Sequence, residues 1–273
     1  MNIPRIIHQI WFQGEPEIPK HLREYRETWI KIHPDYKMML WDQVTIEKLL
    51  KEYNLPWLSE LYYSYNIMVQ KIDIAKYFIL YKYGGIYVDM DMKCIKSLNN
   101  ILNSDDNIIL SHCNSPLPFR LFYGMVGHDI SKSVVNNGVI IITPRNDLMM
   151  LVLKQAYKDK DSRVKDFNKA LYIFKTTGPV CLENAIIEYK KTHKDNIKIL
   201  DFTYFEGHEI GAKDYSIPEN AIAIHIYEGS WVPESTALII KLYFYFVRNP
   251  YMILIIILLI IALIAIMKKR NKS

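Results

Sequence analysis

Apolar and polar positions alternate along the N-terminal part of the chain in a pattern typical of a domain built from strands and helices. The apolar run Pro4–Phe12 predicts a buried first strand, and Gly14 follows it in a loop. Helical spacing then covers Pro19–Ile32, and a second short strand is expected at Tyr36–Trp41. The opening therefore alternates strand and helix, as α/β domains do.

The same alternation continues beyond this opening. Apolar residues recur at helical intervals from Asn66 to Tyr83, and Gly84 and Gly85 end that helix and lead into the strand-like sequence IYVDMDM. Further helices are expected at Thr45–Tyr53, at Asp147–Tyr157 and from Pro179 onward, and further strands at Val135–Thr143, Ile197–Phe202 and Ala221–Ile226. The pattern predicts the α/β fold class.

The C-terminal part has a different pattern. Tyr251–Met267 contains no charged residue, glycine or proline, and aromatic residues precede it, so the segment predicts a single transmembrane helix. We therefore expect a catalytic domain over residues 1–235, an aromatic-rich juxtamembrane segment over 236–250, the transmembrane helix over 251–267 and a basic tail over 268–273.

Two signals disagree about the side of the membrane on which the domain lies. The first residues lack the pattern of a secretory signal, which favours a cytosolic domain with a C-terminal anchor. The basic tail favours a cytosolic tail and a lumenal domain, because cytosolic flanks carry an excess of Lys and Arg. The motif Asn-x-Ser/Thr occurs only at Asn271, so we expect a cytosolic domain and keep the lumenal one as the alternative.

Composition argues against a nucleic-acid partner, a disulfide framework and a zinc site. The formal net charge of +5 is spread along the chain outside the basic tail, so no nucleic-acid partner is expected. Three cysteines, at 94, 113 and 181, have neither the number nor the spacing of a disulfide framework or a zinc site.

The candidate chemistry is concentrated in the motif Asp89-Met90-Asp91. Alternate side chains of an extended strand share a face, so Asp89 and Asp91 are expected to project together while Val88 and Met90 point into the core. Two neighbouring carboxylates repel each other unless a cation lies beside them, and hard oxygen ligands favour Mn²⁺ or Mg²⁺. Such an ion suits a diphosphate leaving group.

The motif stands within a longer similarity. The chain resembles the DXD-motif glycosyltransferases of family 32, which include inositol-phosphoceramide mannosyltransferases and initiating mannosyltransferases, and over a shorter stretch the large clostridial glucosylating toxins. The blocks that carry the resemblance are IPRIIHQIWF, HPDYKMMLWD, VQKIDIAKYFILYKYGGIYVDMDM, NNGVIIITPRN, TTGPVCLENAI and HIYEGSW, in that order.

The resemblance implies a GT-A fold that binds a nucleotide sugar, a divalent metal on Asp89 and Asp91, and transfer with retention of anomeric configuration. It implies that Asp73 contacts ribose or sugar hydroxyls and that Asn137 reaches the sugar. Lys76 stands where the family usually has arginine, which puts the contacts there in doubt because lysine lacks the planar bidentate fork.

The same resemblance yields the remaining candidate residues. The catalytic set is Asp73, Asp89, Asp91 and Asn137, and the metal set is Asp89, Asp91, His225 and Glu228. The donor-binding set is Ile7, His8, Gln9, Trp11, Gln70, Asp73, Lys76, Gly85, Ser230 and Trp231.

The predicted reaction is transfer of a hexose from a nucleotide sugar to a hydroxyl acceptor. Mannose from GDP-mannose and a lipid or glycan acceptor are favoured; a UDP-sugar donor and a protein acceptor are alternatives. Two other classes compete: an inactive membrane-anchored scaffold of the same fold, and a metal-dependent phosphohydrolase, which would need further ligands close to Asp89.

Overall fold

A computed structural model describes residues 2–193, 197–207 and 217–229, and beyond them Tyr245, Asn249, Tyr251 and Met252. The chain divides into two compact units, one formed by residues 1–209 with 216–229 and the other by residues 210–215 with 230–273. In the second unit the described residues make local backbone turns, in which the Asn249 N–H donates to the Tyr245 carbonyl at 3.0 Å. All the elements given below belong to the first unit.

Strands and helices alternate along the described part of the first unit. The strands are β1 (Ile6–Ile10), β2 (Lys37–Trp41), β3 (Gly85–Val88), β4 (Met92–Cys94), β5 (Ile108–Ser111), β6 (Val139–Ile142), β7 (Ile197–Leu200) and β8 (Ala223–His225). The α-helices are α1 (Lys20–Ile32), α2 (Gln43–Tyr53), α3 (Pro56–Ser64), α4 (Met68–Tyr83), α5 (Leu117–Gly124), α6 (Asp147–Asp159), α7 (Val164–Phe167), α8 (Lys169–Thr176) and α9 (Pro179–Thr192).

Six strands form one mixed sheet in the order β2-β1-β3-β6-β5-β7. Strand β1 pairs in parallel with β2 and β3, whereas β6 is antiparallel to both β3 and β5. Strands β4 and β8 form a separate antiparallel pair that places Met92 opposite His225. The sheet therefore places the end of β3 near its centre, and the small pair carries the chain on from that end.

The sheet is buried on both faces. Along β6, Ile140 and Ile142 belong to one apolar cluster, and Val139 and Ile141 belong to another. The first cluster takes in much of α4, α6 and α9, and the second includes Trp29 of α1. Because successive side chains of a strand point to opposite faces, this division gives a three-layer α/β domain.

The connection from α4 to β3 needs its two glycines. Gly84 has a φ of 59°, and a Cβ there would meet the Pro144 nitrogen at 2.5 Å. Gly85 has a φ of 94°, and a Cβ there would meet the Ile6 carbonyl oxygen at 2.6 Å. Only glycine adopts this backbone without strain, so the turn fixes how α4 leads into the central strand.

The predicted α/β class is confirmed, with elements close to those expected from the sequence. The predicted transmembrane helix at 251–267 lies outside the described residues, apart from Tyr251 and Met252, and so does most of the juxtamembrane segment. Within the described ranges no helix is long and apolar enough to cross a membrane.

Candidate active site at the end of the central strand

The motif Asp89-Met90-Asp91 lies in a turn between two strands. Strand β3 ends at Val88, and β4 begins at Met92 after this turn. The Asp89 N–H donates to the Gly138 carbonyl at 2.9 Å, which fixes the start of the turn on the neighbouring strand. The expectation that strand alternation brings the two carboxylates to one face is therefore wrong, since it is the turn that brings them together.

A histidine from the distant end of the unit joins the two aspartates. His225 ends β8, which pairs with β4, and one ligand atom each from Asp89, Asp91 and His225 lies within 4.8 Å of the others. The His225 Nε2 atom lies 3.3 Å from Asp91 Oδ1, and its buried Nδ1 atom has no hydrogen-bond partner among the described groups. Two carboxylates and one imidazole thus converge at one point.

The pKa values of the two carboxylates shift in opposite directions. Burial raises the pKa of Asp89, an effect that Lys76 opposes and Asp91 reinforces. Burial also acts to raise the pKa of Asp91, but the His225 imidazole and the Glu228 N–H outweigh it and hold this pKa below its usual range. Burial lowers the pKa of His225, and the Asp91 carboxylate overcomes this so that the net direction is upward.

These residues fit a divalent cation. Two neighbouring carboxylates repel each other unless a positive charge lies between them, and in this structure the His225 imidazole lies beside Asp91. Carboxylate oxygens are the ligands that Mg²⁺ and Mn²⁺ prefer, and imidazole is a common partner for transition ions. An ion held here would supply that positive charge.

A second polar cluster is built around an ion pair on α4. The Lys76 ammonium lies 2.6 Å from Asp73 Oδ1, and both side chains are almost completely buried. Asp73 also accepts hydrogen bonds from Asn137 Nδ2 at 3.2 Å and from the Thr177 hydroxyl at 2.8 Å. Groups from three parts of the chain therefore surround this carboxylate, and they oppose the effect of burial, which raises its pKa.

The two clusters are connected through Tyr87 on β3. The Tyr87 hydroxyl donates to Asp89 Oδ1 at 2.8 Å, and the Lys76 ammonium lies 5.1 Å from the centre of the Tyr87 ring. The charge on Lys76 lowers the pKa of Asp89 against the effect of burial. A single positive side chain thus contacts one acidic group and acts electrostatically on the other.

Sequence reasoning missed Glu206, whose carboxylate is fully buried beside the site. It accepts a hydrogen bond from the Asn114 N–H at 2.6 Å and one from Asn136 Nδ2 at 3.2 Å. Asn136 Oδ1 in turn accepts from the Gly138 N–H at 2.6 Å, and the Gly138 carbonyl holds Asp89. No local pattern marks this glutamate, because its partners lie 92 and 70 positions away along the chain.

Comparison with known proteins supplies the identity of the family. Residues 19–108 match the family described as the glycosyltransferase sugar-binding region containing the DXD motif. A glycosyltransferase of Acanthamoeba polyphaga mimivirus is 32% identical over 260 residues, which is 93% of this chain and 92% of the relative. The chain belongs to the DXD glycosyltransferases. The resemblance that the sequence blocks indicated is confirmed.

Fungal relatives extend the comparison. Mannosyl phosphorylinositol ceramide synthase SUR1 of Saccharomyces cerevisiae is 29% identical over 76% of this chain and 48% of its own length. Inositol phosphoceramide mannosyltransferase 1 of Schizosaccharomyces pombe is 27% identical over 73% of this chain and 56% of its own length. This glycosyltransferase thus spans about half the length of these fungal enzymes.

Solved structures agree on the fold. The ligand-free glycosyltransferase domain from the YGT toxin superposes with a TM-score of 0.51 and 11% identity, over 77% of this chain and 84% of that chain. At this identity the likeness concerns architecture alone. Together with the mixed sheet, it shows that this glycosyltransferase has a GT-A-like α/β fold.

The first strand of the glycosyltransferase supplies mostly core residues. Ile7, His8 and Gln9 have no exposed surface, and His8 is bonded on both ring nitrogens: Trp41 Nε1 donates to its Nδ1 atom at 3.1 Å, and its Nε2 atom donates to the Gly84 carbonyl at 3.0 Å. Trp11 is partly exposed and packs near Met90, and its indole N–H has no partner among the described residues. Of these four donor-binding predictions, the placement favours Trp11.

The remaining predicted residues lie at different places relative to the two polar clusters. Gln70 is buried and donates from Nε2 to the Thr176 hydroxyl at 2.7 Å, close to the Asp73 cluster. The Glu228 carboxylate contacts His21, while its N–H donates to Asp91 Oδ2 at 3.1 Å, so its backbone rather than its carboxylate meets the metal cluster. Ser230 and Trp231 lie outside the described residues.

Proposed function

We propose that this glycosyltransferase transfers mannose from GDP-mannose to a hydroxyl group of a lipid acceptor, with retention and with the help of Mn²⁺ or Mg²⁺. The observation that carries the proposal is the convergence of Asp89, Asp91 and His225 at the end of the central strand. The choice of mannose and of a lipid is supported by relatives whose names describe mannosyl transfer to inositol phosphoceramide.

Asp89, Asp91 and His225 would hold the metal ion. When bound, the ion neutralises the charge that develops on the departing nucleoside diphosphate. The Tyr87 hydroxyl and the Glu228 N–H each donate to one of the aspartates, so both carboxylates are oriented before any ligand arrives. That preorganisation matters because donors and charges already in place cost no rearrangement during the reaction.

The Asp73 cluster would hold the sugar of the donor. A carboxylate has about four acceptor positions, and the described bonds to Asp73 use three of them, which leaves room for a sugar hydroxyl. Asn137 and Lys76 would offer further polar contacts, with Gln70 close to them, whereas Gly85 lies at the start of β3 against Ile6 and His8. Trp11, which packs near Met90, would contact the nucleotide.

The chemical step breaks the bond between the anomeric carbon and the diphosphate oxygen and forms one between that carbon and the acceptor oxygen. The acceptor hydroxyl loses its proton, and the diphosphate leaves with the bonding pair. The residues above would contribute by holding donor and acceptor in position for this exchange, which is a large part of what such sites supply.

The proposal also covers the placement of the protein. We infer that residues 251–267 anchor the catalytic domain, residues 1–235, to a membrane on its cytosolic side, which would bring the site close to a lipid acceptor. Extraction of the full chain with alkaline carbonate tests the anchor. Retention in the membrane pellet supports it, whereas full release into the supernatant contradicts it.

Turnover with a panel of donors tests the reaction. We expect the full chain in detergent with Mn²⁺ to convert GDP-mannose in preference to UDP-glucose and UDP-galactose, and to mannosylate inositol phosphoceramide with an α-linked product detectable by NMR. Preference for a UDP-sugar would overturn the mannose assignment. No turnover and no binding of any donor by the folded protein would favour the inactive scaffold.

A further inference from the structure

Helix α5 carries an exposed apolar stripe. Leu117 and Leu121 lie four positions apart and so share one face of the helix, and Met125, four positions further, caps its C-terminal end. Their side chains are 53%, 50% and 59% exposed, and Ile130, a few residues further on, is 45% exposed. The Arg120 guanidinium donates to the Ile130 carbonyl at 2.9 Å, which holds Ile130 beside the helix. We call these four aliphatic residues the α5 surface.

The other side of α5 is already occupied. Phe122 and Tyr123 pack against a small apolar cluster that includes Val126, Leu171 and Val180. The Phe122 and Phe174 rings also meet edge to face, with centroids 6.2 Å apart. The helix is therefore fixed to the domain by one face, and the α5 surface is a second apolar face that the fold does not need for its core.

Basic residues lie on the helices that share an apolar cluster with α5. Helices α7 and α8 pack around the same small cluster, and residues 160–175 contain five lysine or arginine residues against two aspartates. Lys165 and Lys169 are exposed, and so is Phe167, at 72%. Exposed aliphatic and aromatic side chains with lysines beside them are the composition of segments that lie on anionic membranes.

The α5 surface belongs to a segment that leads into the active site at both ends. Asn114, three residues before α5, donates its N–H to Glu206 at 2.6 Å. The segment that follows α5 ends at Asn136 and Asn137, which bond to Glu206 and Asp73 respectively. A surface that contacts α5 would therefore contact a segment joined at both ends to the polar clusters.

We propose that the α5 surface rests on a lipid bilayer that contains anionic head groups, as a second membrane contact besides the C-terminal segment. The predicted anchor at 251–267 starts 22 positions after Gly229, so the domain is tethered close to a bilayer. The exposed lysines on the neighbouring helices α7 and α8 favour a bilayer over an uncharged protein partner. The inference rests on the membrane anchor and lipid acceptor of the proposed function.

Fluorescence from a probe on the surface tests this contact. A nitrobenzoxadiazole group is attached to Leu121→Cys in the full chain, with Val44→Cys as the matched control because Val44 on α2 is 75% exposed. The unsubstituted chain measures labelling of the native cysteines. In vesicles of phosphatidylcholine and phosphatidylserine, we expect emission at position 121 to shift to shorter wavelength and to be quenched by nitroxide-bearing lipid, with no change at position 44.

Three outcomes would overturn the inference. Equal emission at positions 121 and 44 in vesicles would leave the α5 surface in water. Shielding of position 121 from an aqueous quencher in the absence of lipid would mean that the chain's own C-terminal segment or a second copy covers it. Equal quenching with and without phosphatidylserine would remove the role of the lysines.

A paired substitution separates this inference from the proposed reaction. Leu121→Asp with Met125→Asp should abolish the shift of a probe at Leu117→Cys, and should leave GDP-mannose turnover in detergent within about twofold, because both side chains are exposed and neither belongs to the two polar clusters. Absence of turnover in the unsubstituted protein would instead count against the proposed function and leave the probe result standing.

Discussion

The Asp73 and Lys76 pair is the residue-scale feature that the sequence described least well. Lys76 stands where the family usually has arginine, which put its contacts in doubt, but its ammonium lies 2.6 Å from the Asp73 carboxylate. Spacing on a helix could place the two residues on neighbouring turns. It could not show that Asn137 and Thr177 meet the same carboxylate, because those contacts join residues 64 and 104 positions apart.

Removing one member of this pair should be costly. We expect Lys76→Met to lower the free energy of unfolding by about 3 kcal/mol, since it leaves the buried Asp73 carboxylate without its cation. Urea unfolding followed by tryptophan fluorescence measures the change. Lys82→Met, which breaks an exposed pair with Glu52, is the matched control and should leave the midpoint almost unchanged. Equal losses of stability in the two variants would show that the buried pair stabilises the fold no more than the exposed pair does.

His8 should make stability depend on pH. Burial lowers the pKa of this residue from 6.5 to about 4, whereas the unfolded chain binds a proton near pH 6.5. The unfolded state therefore takes up more protons between these values, so the contribution of His8 is complete above pH 6.5 and decreases as the pH falls towards 4. We expect the neutral ring to account for about 2 kcal/mol of stability lost between pH 7 and pH 5.

Urea unfolding at the two pH values, with His8→Gln as comparison, measures this contribution. The amide keeps a donor and an acceptor but does not titrate, so the variant should lose about 2 kcal/mol less than the original chain over this interval. An unchanged pH dependence in His8→Gln would contradict the assignment of a neutral ring with a hydrogen bond on each nitrogen.

At the scale of elements, hydrophobic pattern predicted the long segments well. Helix α4 was expected over Asn66–Tyr83 and runs over Met68–Tyr83, because its apolar spacing is sustained for several turns. Short elements such as β5 and α7 have too few residues to show a period, and they were missed. The extended reading of Asp89–Asp91 was wrong because pairing with β6 stops at Val88, where β6 itself begins.

The turn before β6 should be sensitive to a single methyl group. A Cβ on Gly138 would meet Asp89 Oδ2 at 2.7 Å. We therefore expect Gly138→Ala to displace that carboxylate and to reduce Mn²⁺-dependent turnover at least tenfold, while the circular dichroism spectrum stays unchanged. Contacts tighter than van der Waals distance force such shifts.

Gly124→Ala is the control for this substitution. Among the described residues, a Cβ there meets the Ile130 Cγ2 atom, which belongs to an exposed side chain that can move aside. Its turnover should stay close to that of the original chain. Full activity in Gly138→Ala would mean that Asp89 does not need its observed position.

At the scale of the whole molecule, the sequence predicted the family and the fold class but not the assembly of the site. The DXD motif was visible because its two carboxylates lie two positions apart. His225 was named only by resemblance, and its place beside them depends on the pairing of β4 with β8 across more than 130 positions. Glu206 was not found at all, since a single buried glutamate has no pattern until the chain is folded.

The central claim is that a metal ion on the Asp89, Asp91 and His225 cluster is needed to bind the donor. The most direct measurement is calorimetric titration of the full chain in detergent with GDP-mannose, with and without Mn²⁺, beside Asp89→Asn and an exposed control, Asp105→Asn. We predict binding that requires Mn²⁺, survives in Asp105→Asn and weakens at least a hundredfold in Asp89→Asn, since a ligand to the ion is lost. Equal binding by Asp89→Asn and the original chain in Mn²⁺ would contradict the account.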